Sequence, residues 1–331
     1  MAGAGSIGRR HLRNLLTLGE QDILFYRTGR ATLPDDELSV FPVEVDLQAA
    51  LAHRPQAVIV ANPTSLHLDI AIPAAQAGCH LLIEKPISNS LQRMDELAQA
   101  ARQGGGQILV GFQFRFHPGL QRVAELLQEG AIGKPLSARA SWGEYLPDWH
   151  PWEDYRQSYS ARPDLGGGVI LTLCHPLDYM LWLLGKVDSL SAMAGKIGDL
   201  DLAVEDTTEI VLQFQTGALG SVHLDYNRRP ASHHLEIVGT HGVIQWDNAD
   251  GAARVYRVSD QQWEVFPAPV GFERNDMFLD QMSHFLAVAR AESQPVCSLE
   301  DGVRALELAL LALESAQQGR TLQIEPRRLK I

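Results

Sequence analysis

The sequence is short of the features that mark several protein classes. Its 331 residues include three cysteines. Cys79, Cys174 and Cys297 are scattered without close pairing, so neither a disulfide framework nor a cysteine zinc site is indicated. No apolar run is long enough to span a bilayer and no secretory core opens the chain, which leads us to expect a cytoplasmic protein with no membrane partner. Positive charge is scarce: 28 Lys and Arg against 40 Asp and Glu give a net charge of -12. That balance argues against nucleic acid or an anionic membrane, both of which want a basic footprint. Repeats and low-complexity segments are absent, and the His and acidic residues show no spacing that demands a metal. What remains is ordinary globular composition, 45% apolar and 21% charged, in a chain long enough for two cores.

The most organised stretch runs from Gln56 to Ile87. AVIVA and HLLI are short apolar runs without alternation, as expected of parallel strands covered on both faces. A helix-length crossover separates them, so they form a right-handed βαβ unit. Ligands collect at the carboxyl ends of such strands. Asn62, Pro63 and Thr64 occupy one end, with His67 just beyond. Glu84, Lys85 and Pro86 occupy the other.

Upstream, Gly3-x-Gly5-x-x-Gly8 reads as a dinucleotide fingerprint opening a helix. The first glycine permits a tight turn, the second a close backbone approach to pyrophosphate, and the third close helix–strand packing. Ser6, Ile7 and Gly8 then lie at the positive helix end, which suits phosphates. Only Met1 and Ala2 precede the loop, so the first strand is expected to be nearly absent, through a late start codon or genuine loss. DILFY is the second strand. Where an acidic residue would meet an NAD ribose, the chain has Arg27, Thr28 and Arg30. A cation and a hydroxyl can receive a 2′-phosphate; a solvated basic turn is the other reading. The cofactor is therefore NADP or NAD, with NADP favoured. A helix from Leu91, ended by Gly104-Gly105-Gly106, and a buried strand QILVGFQFRF complete an α/β domain over residues 1–118.

From Leu136 the texture changes to strands of moderate alternation joined by glycine-containing turns, an open and mainly antiparallel sheet. Residues 119–331 are read as an α+β domain with two closing helices, Asp276–Ala291 and Leu299–Ala316. The sheet's exposed face reads as rich in aromatic and branched residues, which suggests a homodimer or homotetramer. Two insertions stand out. WGEYLPDWHPWEDYRQSYSARPDLGGG sets Trp149 and Tyr159 among polar residues, as a carbohydrate-like substrate would require. Glu144, His150 and Arg156 lie in the same stretch. In GGGVILTLCHPLDYMLWLLG, His175 and Asp178 share one side of a helix. Arg115, after the last parallel strand, is either an anchor for a substrate anion or a domain-boundary ion pair.

Together GAGSIGRRH, ANPTSLHLDIAIPAAQAGCHLLIEKPIS, GFQFRFHPGLQRVAELLQEGAIG and the GGGVILTLCHP segment resemble the glucose-fructose oxidoreductase / inositol dehydrogenase / MocA family, across essentially the whole chain. The resemblance implies a Rossmann domain joined to an open-sheet α/β domain, and hydride transfer between NAD(P) and a sugar, sugar acid, polyol or nucleotide sugar. It assigns substrate and nicotinamide contact to Lys85, acid/base duty to His175, and a cis bond before Pro86. Members often carry an aspartate three or four residues before the histidine; here Leu171 and Thr172 stand there. Tyr159 and Tyr145 are therefore reserve proton-transfer groups. Two rival functions fit the same scaffold: a lyase or hydride-recycling enzyme that retains its cofactor, and a non-catalytic NADP-binding regulator.

Overall fold

The computed structural model describes residues 1–29 and 36–325. Arg30 lies outside the described residues. The described chain forms two compact units: Met1–Gln113 with Arg274–Val303, and Phe114–Glu273 with residues 304–325.

In the first unit, α1 (Ser6–Thr17) follows the glycine loop directly. Strand β1 (Phe25–Tyr26) pairs in parallel with β2 (Val43–Glu44). Asp46 caps α2 (Leu47–Ala52) by accepting the Ala49 N–H at 2.8 Å. Then β3 (Ala57–Val60), α3 (His67–Gln76), β4 (His80–Ile83), α4 (Met94–Gly104) and β5 (Ile108–Val110) alternate. The three strands are parallel and almost wholly buried, which is why their sequences lack alternation.

The expected first strand survives as two residues. Ala2 bridges in parallel to both Tyr26 and Val60, giving the order β2–β1–Ala2–β3–β4–β5 of a Rossmann sheet. Its hydrogen bonds reach both sides: Ala2 N to Ile59 O and Ala61 N to Ala2 O at 2.8 Å, and Tyr26 N to Met1 O at 2.8 Å. QILVGFQFRF is not one strand. After Val110 the chain doubles back through Phe112 N to Val110 O at 2.8 Å and enters a 3-10 turn over Gln113–Phe116. The helix expected from Leu91 begins at Met94 and ends on Gly105 in the left-handed conformation. A split at residue 118 also misses a return of the chain, because α8 (Arg274–Ala289) packs on α1 and β4.

The second unit contains α5 (Pro118–Gln128), β6 (Pro135–Gly143), α6 (Val169–Thr172), α7 (His175–Leu184), β7 (Val187–Gly195), β8 (Thr207–Phe214) and β9 (Leu219–Asp225). It continues through β10 (Ser232–Gly239), β11 (Gly242–Asp247), β12 (Ala253–Arg257), β13 (Gln262–Phe266) and β14 (Leu322–Gln323), and α9 (Leu299–Gln318) belongs to it from Arg304 on. The strands form one sheet in the order β13–β12–β11–β10–β6–β9–β8–β7–β14. Every pair is antiparallel except β6 with β9. Edge strand β13 escaped the sequence reading; its QWEVF run alternates, but nearly all of it is exposed.

One face of this sheet carries Ile210, Leu212, Val222, Leu235, Ile237 and Trp246, all buried, under α5 and α7. The other face is more polar than expected. Along one row of the register lie Val211, Ser221, Arg139, Glu236, Gln245 and Arg254. Most branched residues of these strands point inward, but Val211, Leu219 and Val265 stand exposed on the outer face. No single helix among the described residues is long and apolar enough to cross a membrane.

Candidate active site

In the first unit the glycine loop is explained position by position. Gly3 has φ +99°, and a Cβ there would stand 2.4 Å from Ala61 O at the end of β3. A Cβ on Gly8 would stand 2.4 Å from Gly3 O. These two glycines are demanded by the loop's own packing. Gly5 is different: its backbone is extended and a Cβ would meet nothing within 4 Å. Nothing in the protein's own packing requires a glycine there. Helix α1 then begins with no side-chain cap and no acid in its first turn, leaving the N–H groups around Ser6, Ile7 and Gly8 for an anion. At the end of β3, Asn62 Oδ1 is buried without a partner among the described residues. Pro63 and the buried Thr64 lead into a 3-10 turn, and His67 Nε2 donates to Asn62 O at 2.9 Å. Burial holds the His67 imidazole below its ordinary pKa. These features fit a dinucleotide on the carboxyl ends of the strands. Arg27 is half-buried directly after β1, its N–H bonded to Glu44 O at 3.0 Å, and Thr28 is exposed.

At the end of β4, Glu84 does not face outward. His11 Nε2 donates to Glu84 Oε1 at 2.7 Å, with His11 fully buried on α1. Glu84 Oε2 also lies 3.2 Å from the Lys85 N–H. Burial pushes the Glu84 carboxyl up, but the His11 bond and the charges of His11 and Lys85 outweigh it and hold the group below the usual carboxylate range. Gly111 packs against this carboxylate, a Cβ there lying 3.2 Å from Oε2. Lys85–Pro86 is cis. The sequence reading missed His11, although it sits three residues past Gly8 on the inward face of an amphipathic helix.

In the second unit the candidates gather at the carboxyl ends of the parallel neighbours β6 and β9. His175 begins α7, buried, with its ring 5.4 Å from Trp142 and 4.9 Å from Phe114. Trp142 Nε1 donates to Glu144 Oε1 at 2.9 Å. Trp149 meets the buried Tyr226 edge-on at 5.6 Å. Trp149 Nε1 and His150 Nδ1 are buried without partners among the described residues. Tyr159 is half-buried at the start of a 3-10 turn.

Three candidates are engaged elsewhere. Arg115, read as a substrate-anion anchor or an ion pair, and Asp178, the candidate on the His175 side of its helix, bind each other: Nη2 to Oδ1 at 2.7 Å and Nε to Oδ2 at 3.1 Å. Both are buried, at 8% and 1% exposure, so the ion-pair alternative for Arg115 holds. Arg156 is exposed and chelates Asp154 at 2.7 Å, with Asp201 at 3.6 Å.

Residues 1–112 match the family model described as "Oxidoreductase family, NAD-binding Rossmann fold", and residues 120–245 match "GFO/IDH/MocA C-terminal domain". The chain is 28% identical to the myo-inositol 2-dehydrogenase of Thermotoga maritima, over 98% of this chain and 97% of that one. It is 28% identical to the 1,5-anhydro-D-fructose reductase of Ensifer adhaerens, over 81% and 80% of the two chains. Among solved structures, levoglucosan dehydrogenase in complex with NADH and L-sorbose has the same fold, with a TM-score of 0.85 at 20% identity over 98% of this chain and 97% of that one.

Proposed function

The chain belongs to the Gfo/Idh/MocA family of NAD(P)-dependent oxidoreductases, and on that premise we propose that it oxidises or reduces a secondary alcohol or ketone of a carbohydrate, with Lys85 and His175 as its working groups. The substrate class is a sugar, sugar acid, polyol or nucleotide sugar. Two relatives are named for ring-shaped polyols or sugars, and Trp149, Tyr159 and Glu144 offer the aromatic and acceptor groups such a ring uses.

The observation that carries this reading is the anchoring of Lys85. A main-chain position at a strand end, tied through a buried carboxylate to the helix behind the glycine loop, fixes the point from which the Lys85 side chain leaves the strand. Bound NAD(P) supplies or accepts the hydride. Lys85 Nζ stabilises alkoxide character on the substrate oxygen as it develops, and the His175 imidazole takes or returns the hydroxyl proton. Gly3, Gly5 and Gly8, the N–H groups at Ser6 and Ile7, and Asn62 to Thr64 hold the dinucleotide. Arg27 with Thr28 favours a 2′-phosphate, hence NADP over NAD. We also assign a homodimer or homotetramer to the open sheet face, whose rows of opposite charges suit a polar interface.

Titration of the purified protein with NADP⁺ and NAD⁺, followed by a sugar and polyol turnover screen, tests the reading. We expect tighter NADP⁺ binding, lost on Arg27→Ala. Lys85→Met should bind the nucleotide yet lose roughly a thousandfold in kcat. If neither nucleotide binds, the proposal fails.

A further inference from the structure

The structure also contains a carboxylate that the sequence reading passed over, Glu205. It lies between β7 and β8, half-buried in the second unit, and reaches across to the segment that carries His175. That segment is buried without interruption from Gly166 to Met180, yet it is irregular. Gly166 is left-handed, Gly168 has φ +110°, and α6 is a single turn of four residues. A helix that short cannot satisfy its own first N–H groups, and no water reaches a buried terminus freely. Glu205 supplies both acceptors. Its main-chain oxygen accepts the Val169 N–H at 3.1 Å, and its carboxylate Oε1 accepts the Ile170 N–H at 3.1 Å.

The triple glycine makes room for this clamp. A Cβ on Gly168 would stand 2.4 Å from Glu205 Oε1, and one on Gly167 would stand 2.4 Å from Tyr159 O. The neighbouring Asp206 acts elsewhere. Its carboxylate accepts the N–H groups of Ile197 and Gly198 and the Thr207 hydroxyl, fixing the loop from which Glu205 projects. Two adjacent acids thus divide the work, one holding its own loop and one holding the turn opposite.

We propose that Glu205 is a positioning residue for the reaction: by gripping the first turn of α6 it sets the direction in which His175 leaves the Gly166–Cys174 segment. This rests on the assignment of His175 given above. The role needs an acceptor of the right reach and does not need a charge. A proton-transfer group displaced by about an ångström loses on the order of a hundredfold in rate, so a loosened turn is read in kcat before it is read in cofactor binding.

The test is a double-mutant cycle on the full chain, with kcat, substrate KM and NAD(P) dissociation constants measured well below the melting temperature of each variant. Glu205→Ala should lose about tenfold or more in kcat, with cofactor affinity unchanged. Glu205→Gln, whose amide oxygen accepts the same N–H, should restore most of the rate. Glu205→Asp, one methylene short, should behave like alanine, and it supplies the reading where the alanine variant does not fold. In a His175→Ala background the Glu205 substitutions should cost no further rate, because the group they position is gone. An unaltered kcat in Glu205→Ala, a glutamine variant as slow as alanine, or a full additional loss in the His175→Ala background would each overturn the proposal. A fully active His175→Ala protein would instead remove the premise, and the two failures are told apart by that single variant.

Discussion

Both units place their candidate residues at the carboxyl ends of two neighbouring parallel strands, β3 with β4 and β6 with β9, but they hold them in different ways. In the first unit the backbone does most of the positioning. Glycines with no room for a Cβ fix the loop, strand ends fix Asn62 and Lys85, and one buried pair, His11 with Glu84, locks the arrangement. In the second unit side chains do it. His175 stands among Phe114 and Trp142, Glu144 is held by an indole, and Arg115 is committed to a carboxylate 63 positions away. Backbone positioning is written locally in a sequence; side-chain positioning is written across it.

The sharpest way to break the second arrangement is Asp178→Ala. It leaves the Arg115 guanidinium buried without its carboxylate. Removing one partner of such a pair destabilises by about 3–5 kcal/mol, read as a shift of the denaturant midpoint at constant slope. Were Arg115 instead a substrate anchor, the variant would keep its stability and lose only substrate affinity. The exposed Arg156–Asp154 pair is the contrast, since surface pairs contribute little.

Acid tests the second region next. Burial holds His117 down to about 4 from an ordinary 6.5. Its Nδ1 caps α5 by accepting the Gly119 N–H at 3.0 Å, which a protonated ring cannot do. The unfolded chain binds this proton first, so its stabilising contribution is complete above pH 6.5 and falls as pH drops from there to about 4. The loss approaches roughly 3 kcal/mol. In the first unit the buried His67 imidazole, also held below its ordinary pKa, adds a loss of the same sign as pH falls from 6.5. The Glu84 carboxyl, held below the usual carboxylate range, loses its contribution only at lower pH, as pH falls through its lowered folded value. Denaturation series at pH 7 and pH 5 should show the slope in the wild type and a flatter one in His117→Asn, which keeps a cap but cannot titrate there. Equal slopes would remove His117 as the cause.

This division also explains what could be read in advance. The glycine loop, the βαβ unit, the strand-end lysine and the change to an antiparallel sheet all depend on neighbours within a few residues. The partners of Arg115, the inward carboxylate of Glu84 and the reach of Glu205 depend on tertiary pairing, and no local pattern announces them. The errors follow the same rule. QILVGFQFRF has the composition of a long strand, but Gly111 packs on Glu84 and the chain turns. The sheet's outer face was misjudged because alternation identifies two faces without saying which is buried.

The smallest expected effect on stability is also the most discriminating, because it compares one methyl group at two places in a single loop. Gly8→Ala puts a Cβ 2.4 Å from Gly3 O, so the backbone must move, with a loss of about 1–3 kcal/mol. Gly5→Ala adds the same atom where nothing lies within 4 Å and where the extended backbone suits alanine as well as glycine. Its melting temperature should match the wild type, while NAD(P) affinity falls by about tenfold or more, since the methyl group occupies the approach a pyrophosphate needs. Fluorescence titration and a thermal melt on the same sample give both numbers. A Gly5→Ala protein that binds the nucleotide normally would mean that the pyrophosphate does not cross the loop at this position. The open space beside it would then belong to another part of the ligand.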